Sequence, residues 1–187
     1  SDGNNILDNT NNLKTRIIND ISFSLNDNIF ESLGLKNNIN FYFKNLNSVG
    51  RNVSNYKSSP QIELQSLTEF KSELPLIRKN NNNDETLIPR LSLRVNPSDM
   101  KNYSSSERRI NTDNVFNINR LGIEDSFESG NSVTVGIDYL RKENNTNDNK
   151  SIEIKLASVF RDDEENNIPE LSSINKKSSN LFGSIDY

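Results

Sequence analysis

Apolar and polar side chains alternate with a period of two along most of this chain. Between residues 61 and 73, one set of alternate positions carries apolar side chains such as Ile62 and Leu64. The other set carries charged side chains such as Glu63 and Glu69. Because successive side chains of a strand point to opposite faces, the pattern predicts a β-strand with one apolar and one charged face. No segment shows a convincing helical period, so the predicted fold class is all-β and antiparallel.

The same design recurs in seven segments, and the links between them alternate in length. Long polar links are predicted over residues 46–59, 96–130 and 162–178, and short polar links join the other pairs of strands. The predicted strands cover approximately residues 13–26, 33–45, 60–77, 86–96, 131–141, 151–161 and 179–187.

Strand length and loop alternation together favour a membrane barrel. Strands of globular proteins average about 5–6 residues, whereas a tilted membrane strand needs roughly 9–11. Outer-membrane barrels also place short turns on one side of the membrane and long loops on the other. We therefore predict that residues 1–187 form part of one outer-membrane β-barrel domain, about seven strands of a larger barrel. A soluble extracellular β-sandwich or β-solenoid stays open as an alternative, since its strands also alternate.

Composition excludes several classes of function. The chain has no cysteine and no histidine, which removes disulfides, thiolate metal sites and the commonest general base. No nucleophile–base pair or converging carboxylates stand out, so we predict no catalytic residue, no metal site, no cofactor and no enzymatic activity. The acidic run at residues 162–165 is interpreted as a solvated loop rather than a divalent-cation site. Nothing points to a nucleic-acid partner.

The beginning of the chain carries no export signal. It opens with the polar residues Ser-Asp-Gly-Asn-Asn rather than with a basic and then apolar stretch. If the protein is exported, we expect this chain to be an internal piece of a longer one.

Two stretches carry motifs beyond the alternation. One is a strand–turn–strand pair over residues 59–78 and 88–97, with Pro-Leu before the turn and Ile-Pro-Arg at the start of the second strand. The other begins with Phe-Arg at residues 160–161, continues through a loop that holds Pro169, and ends with Phe-Gly at residues 182–183.

A third and more specific motif lies between them. Residues 114–125 read NVFNINRLGIED and are followed by Glu128, Gly130 and the sequence VGIDY at residues 135–139. In their order and spacing, the three stretches resemble the LptD family over residues 35–187.

That resemblance implies a function in lipopolysaccharide transport. The parent protein would receive lipopolysaccharide from a periplasmic bridge and insert it into the outer leaflet of the cell outer membrane, without bond chemistry. An outer-membrane lipoprotein similar to LptE would plug the lumen. The lateral opening forms between the first and last strands of such a barrel, so we expect no gate residue in this segment. Another outer-membrane channel or receptor is the alternative within the membrane class.

The resemblance also implies that the long loop at residues 96–130 closes the outer mouth and folds partly into the lumen. Its plug candidates are Asn119, Arg120, Glu124 and Asp125, and we expect Arg120 to pair with a carboxylate of the loop or wall. The polar faces of the strands supply the candidates that line the lumen: Lys44, Glu63, Glu69, Arg90, Arg94, Asp138, Glu153 and Lys155.

Overall fold

One antiparallel sheet contains every strand of a computed structural model that describes residues 12–30, 33–53, 57–144 and 150–187. No helix within these ranges is long and apolar enough to cross a membrane. The strands follow one another across the sheet in chain order: β1 (Leu13–Phe30), β2 (Leu35–Arg51), β3 (Gln61–Glu73), β4 (Leu76–Lys79), β5 (Asn83–Asn96), β6 (Gly130–Glu143), β7 (Ser151–Arg161) and β8 (Phe182–Asp186).

Strands β3 and β4 together make the single long strand that the alternation predicts over residues 60–77. Both pair with β5, and the ladder is interrupted where Pro75 has no N–H to donate. The backbone N–H of Leu74 donates to the carbonyl oxygen of Pro89 at 3.1 Å, which bridges the interruption. The described sheet is therefore seven strands wide and open, with β1 and β8 at its edges, and the prediction of an all-β antiparallel segment is confirmed.

Several predicted strand ends are wrong by a few residues. The largest difference is in β2, which continues to Arg51 and shortens the predicted loop at residues 46–59. In this stretch asparagine and serine interrupt the apolar pattern, yet β1 lies alongside and pairs as far as Arg51, and β3 pairs as far as Ser48. Backbone hydrogen bonds to both neighbours hold a strand together whatever its side chains prefer. Strand β8, by contrast, is shorter than predicted, because it begins at Phe182 and not at residue 179.

One face of the sheet, which we call the outer face, is mainly apolar, with polar residues such as Asn45 and Ser66 among its aliphatic and aromatic side chains. Ile62 and Leu64 are 70% and 72% exposed there. A single row of directly paired cross-strand neighbours runs over six strands without a polar residue: Leu25, Ile39, Phe70, Leu93, Val133 and Phe160.

The opposite face, the inner face, is partly covered by the two longest links. Residues 97–129 and 162–181, which we call the lid, fold back over it and contact each other. The backbone N–H of Tyr103 donates to the carbonyl oxygen of Asn167 at 2.8 Å. The lid shares one apolar core with the sheet, formed by Met100, Ile110, Val115, Phe116, Leu121, Ile123, Ile168 and Ile174 from the lid and by Ala157, Val159 and Phe182 from the sheet.

We predict that residues 1–187 on their own self-associate in water. Among the described residues, β1 and β8 each have a neighbouring strand on one side only, and the outer face exposes a large apolar patch. Size-exclusion chromatography should give large assemblies in plain buffer and a monodisperse complex in detergent. A detergent-free monomer with a cooperative thermal transition would contradict a lipid-facing outer face.

Candidate functional site

The inner face carries all eight residues that the sequence predicts to line a lumen. The cross-strand register places Glu69 opposite Arg94 and Asp138 opposite Lys155, so polar positions of neighbouring strands fall side by side. The lid covers part of this face, and the side chains of Lys44, Glu69 and Arg94 are buried beneath it. The candidate site is therefore the contact between the inner face and the lid.

Three guanidinium groups converge on one carboxylate of the lid, Glu128. Arg120 binds it through two hydrogen bonds, from Nε to Oε2 at 2.7 Å and from Nη2 to Oε1 at 2.5 Å. Arg161 of β7 donates from Nη1 to Oε1 at 2.6 Å, and Arg94 of β5 approaches Oε2 to 3.6 Å. All four side chains are buried. We call this group the Glu128 cluster.

The remaining donors of the three arginines are largely used by the sheet and the lid. Arg94 donates from Nε to Glu69 at 3.0 Å and from Nη2 to the carbonyl oxygen of Asn117 at 2.5 Å. Arg120 donates to the hydroxyls of Thr134 at 2.9 Å and Ser132 at 3.1 Å. The cluster thereby joins the lid to strands β3, β5, β6 and β7.

A glycine makes room for this cluster at the start of β6. Gly130 has φ of 76°, a conformation that side chains disfavour. A Cβ at this position would lie 2.9 Å from Nη2 of Arg161, whose guanidinium donates to the carbonyl oxygen of Ser129. The turn and the approach of Arg161 therefore both depend on glycine here.

Electrostatics keep Glu128 ionised despite its burial. Burial alone would raise its pKa, but the neighbouring guanidiniums of Arg120, Arg94 and Arg161 outweigh that effect and lower the pKa of Glu128 to about 2. The carboxylate is charged at neutral pH, and its hydrogen bonds to the arginines are charge-assisted.

In a second contact, the lid packs closely against β6. The ring of Phe116 rests on Gly136, where a Cβ would come within 2.8 Å of two ring carbons. The guanidinium of Arg90 lies 4.5 Å from the centroid of the same ring, a cation–π distance. Arg90 is itself held by Glu73 at 2.7 Å and by Asp138 at 3.2 Å.

The third contact, which we call the Asp125 cluster, joins the lid to β1. Asp125 accepts hydrogen bonds from Arg16 at 3.1 Å, from Lys101 at 3.3 Å and from the hydroxyl of Tyr103. Burial would raise the pKa of Asp125, but Tyr103, Lys101 and Arg16 together lower it. Burial and the hydrogen bond to Asp125 raise the pKa of Tyr103 to about 12. At neutral pH the cluster is a carboxylate between two cations and a phenol.

A cavity of about 440 Å³ lies beside the Asp125 cluster, between the lid and strands β1 and β2. Lys44 lines it and donates to Asp20 at 2.7 Å and to the carbonyl oxygen of Glu124 at 2.6 Å. The ring of Phe127 lies 5.1 Å from the same ammonium group. The cavity therefore has apolar walls with a few charged groups.

The four plug candidates of the sequence have different roles in this arrangement. Arg120 belongs to the Glu128 cluster and Asp125 to the cluster on the other side of the lid. Asn119 caps a turn of the lid, because its Oδ1 accepts from the backbone N–H of Ile123 at 2.9 Å. Glu124 is 86% exposed and lies 3.9 Å from Arg16, which makes it the weakest contact of the four.

The three remaining lumen candidates make looser ion pairs. Glu63 lies 3.6 Å from Lys101 of the lid. Lys155 lies 3.3 Å from Glu153 on its own strand and 3.6 Å from Asp113 of the lid. In the part of the chain that the structure describes, no group of three acidic, histidine or cysteine side chains is placed to hold a metal ion.

Sequence reasoning missed two central residues, Glu128 and Arg161, as site residues. Both stand inside the motifs that carry the family resemblance, but neither has a local pattern that separates it from a solvated charge. Only the fold of the lid brings them together across 33 positions of the chain.

Comparison with known proteins gives one family. The sequence model of the LptD family, described as LPS transport system D, matches residues 36–187. A search of curated proteins finds no match to the chain.

We predict that Glu128→Gln lowers the free energy of unfolding in detergent by about 3–5 kcal/mol. The substitution leaves three buried guanidiniums around a neutral amide, and breaking a buried ion pair on one side has a cost of this size. Glu164→Gln is the matched control, because its pair with Lys176 is solvent-exposed and contributes about 0–1 kcal/mol. Equal effects of the two substitutions in urea titrations would contradict the buried cluster.

The contribution of Glu128 should also depend on pH. Its folded pKa lies below its ordinary value, so its stabilising contribution is complete above about pH 4.5 and is lost as the pH falls towards 2. The difference in melting temperature between the unmodified protein and Glu128→Gln should therefore be constant near neutrality and shrink below about pH 4.5. A difference that stays unchanged down to pH 2.5 would show that the carboxylate charge is not what stabilises the lid.

Proposed function

The chain belongs to the LptD family, a family of outer-membrane lipopolysaccharide transport proteins, and from this we propose that it forms part of the wall and lid of a translocon barrel. The barrel inserts lipopolysaccharide into the outer leaflet of the outer membrane and catalyses no bond chemistry. The observation that carries the proposal beyond the family match is the sheet's division into an apolar face and a charged face partly covered by the lid.

The outer face suits contact with lipid. Its side chains are mainly isoleucine, leucine, valine and phenylalanine, with polar residues such as Ser66 and Thr68 among them, and within the described ranges many of the apolar side chains are exposed. A lysine or arginine in their place would cost roughly 2–4 kcal/mol at the middle of a bilayer. Strands of 11 to 18 residues among β1, β2, β3, β5, β6 and β7 are long enough to cross it at a tilt.

The inner face suits a hydrated lumen for a charged and sugar-bearing cargo. Arginines, lysines, glutamates and aspartates alternate across it, so that neighbouring charges neutralise one another in pairs. A wall of this kind stays wetted without strongly retaining either sign of charge. We assign the lumen-lining role to the eight inner-face residues named from the sequence, and the plug role to the lid through Asn119, Arg120, Glu124 and Asp125.

The remaining parts of the proposal concern partners. An outer-membrane lipoprotein of the LptE kind occupies the rest of the lumen, and periplasmic bridge components deliver the cargo. These assignments follow from family membership alone. The part of the barrel described here contributes the wall and the lid, and we assign it no residue of the lateral opening.

Depletion of the full-length protein that carries this chain should test the proposal. We expect newly made lipopolysaccharide to disappear from the cell surface, measured by labelling with a membrane-impermeant reagent, while total lipopolysaccharide stays constant. Complementation with Leu140→Lys, on the inner face opposite Glu153, should restore the surface signal. Complementation with Ile137→Lys, on the outer face of the same strand, should fail because the barrel does not insert. Unchanged surface lipopolysaccharide in depleted cells would contradict the transport function.

A further inference from the structure

The lid is attached very differently to the two sides of the sheet. Towards β7 and β8 the attachment is apolar: Ala157, Val159 and Phe182 share the buried core of the lid. The side chains of Thr112 and Ser184 add a hydrogen bond of 3.0 Å on the same side. Separating these surfaces would expose buried apolar area to water, which is unfavourable.

The middle of the sheet is joined to the lid by the Glu128 cluster. The side chains of Arg94, Arg120 and Arg161 are at most 2% exposed. Pulling the lid away here would separate buried charges from their partners, which is among the most costly changes in a protein interior. This part of the lid therefore stays in place under any small perturbation.

Towards β1 and β2 the lid contacts are mainly polar, with one aromatic contact between Phe127 and Tyr42, whose ring centroids are 6.4 Å apart. Arg16 is 30% and Lys101 34% exposed where they meet Asp125. Lys44 donates to a single carbonyl oxygen of the lid. No β1 or β2 residue among those described belongs to the buried apolar core of the lid. Water can replace the contacts of Arg16 and Lys101 with Asp125 when they break, so their net contribution is small.

The cavity of about 440 Å³ lies on this weakly attached side. It separates the lid from the sheet over part of their contact, and the hydrogen bond from Lys44 to Glu124 lies at its margin. A small rotation of the lid about its attachment to β6–β8 would widen this space into a passage along β1 and β2. The same rotation would leave the Glu128 cluster and the apolar core nearly undisturbed.

We propose that the lid opens on the β1–β2 side, hinged on β6–β8, and that the Asp125 cluster is the latch that holds it closed. Opening breaks the contacts of Asp125 with Arg16 and of Lys44 with the lid backbone, and it exposes the buried hydroxyl of Ser126. The role of this passage in lipopolysaccharide transport rests on the proposed function. The opening of the lid is argued from the contacts alone and does not depend on that function.

Cysteine labelling in the full-length protein tests the opening directly. The probe on the latch side is Ser126→Cys, because Ser126 is buried next to Asp125. The probe on the hinge side is Ala157→Cys, which is buried under the lid core. Each probe is introduced into a full-length protein that has no other reactive cysteine. The folded protein is solubilised in detergent and labelled with a membrane-impermeant maleimide.

Breaking the latch should accelerate labelling at the first probe alone. We expect Asp125→Asn to raise the labelling rate of Ser126→Cys about 3- to 10-fold, the effect of losing one or two hydrogen bonds. Arg16→Gln removes the latch from the β1 side and should act in the same direction, which guards against a local effect of Asp125→Asn on its neighbour. Asp113→Asn, which loses only an exposed lid pair with Lys155, should change neither probe. No acceleration with either latch variant, or equal acceleration at both probes, would overturn the proposal.

Cross-linking links the opening to transport. Thr112→Cys with Ser184→Cys would lock the hinge side, where the two hydroxyls already lie 3.0 Å apart. Gln65→Cys with Ser126→Cys, joined by a short bismaleimide, would lock the latch side, where the side chains are 3.5 Å apart. We expect the latch-side lock to abolish delivery of lipopolysaccharide to the surface and the hinge-side lock to permit it. The reverse result would overturn the proposal. If labelling follows the prediction and depletion leaves surface lipopolysaccharide unchanged, the opening stands and the transport function falls.

Discussion

A single buried carboxylate holds the inner half of this structure together. Glu128 meets the guanidiniums of Arg94, Arg120 and Arg161, which come from two strands and the lid itself. Burying these arginines requires negative partners. The lid supplies Glu128 to all three, and strand β3 supplies Glu69 to Arg94 as well. The lid and the wall therefore each complete the charge balance of the other. This mutual dependence explains how 33 residues between β5 and β6, without regular secondary structure, keep one conformation against the sheet.

The two faces of the sheet differ in chemical character. On the outer face, apolar side chains follow one another across six strands, which only a nonpolar environment or aggregation would cover. On the inner face, charged side chains are paired by the antiparallel register, so that residues distant in the sequence neutralise one another. The lid then completes the inner face with its own apolar core on one side and exposed polar contacts on the other. This uneven attachment is the basis of the proposed opening on the β1–β2 side.

Much of this arrangement can be predicted from the sequence. There are physical reasons why the rest cannot. The strict period of two separates inner from outer residues because side-chain direction on a strand depends on nothing else. The eight lumen candidates were predicted in this way, and all of them lie on the inner face. Strand ends failed where asparagine and serine continue a strand, as in β2, since the ladder is decided by the neighbouring strands. The partners of Arg120 could not be predicted for a related reason. A loop of irregular backbone has no side-chain periodicity, so no local sequence pattern indicates that Glu128 points inward and pairs with Arg120.

The energetic coupling between the lid residue Glu128 and the wall residue Arg161 tests most directly whether these buried charges hold the lid against the sheet. A double-mutant cycle with Glu128→Gln and Arg161→Met, measured by urea unfolding in detergent, isolates the interaction across the lid–wall contact. A buried, shared ion pair predicts a coupling of about 1.5–3 kcal/mol. Additive effects, with a coupling below about 0.5 kcal/mol, would mean that the lid is held by something other than these charges.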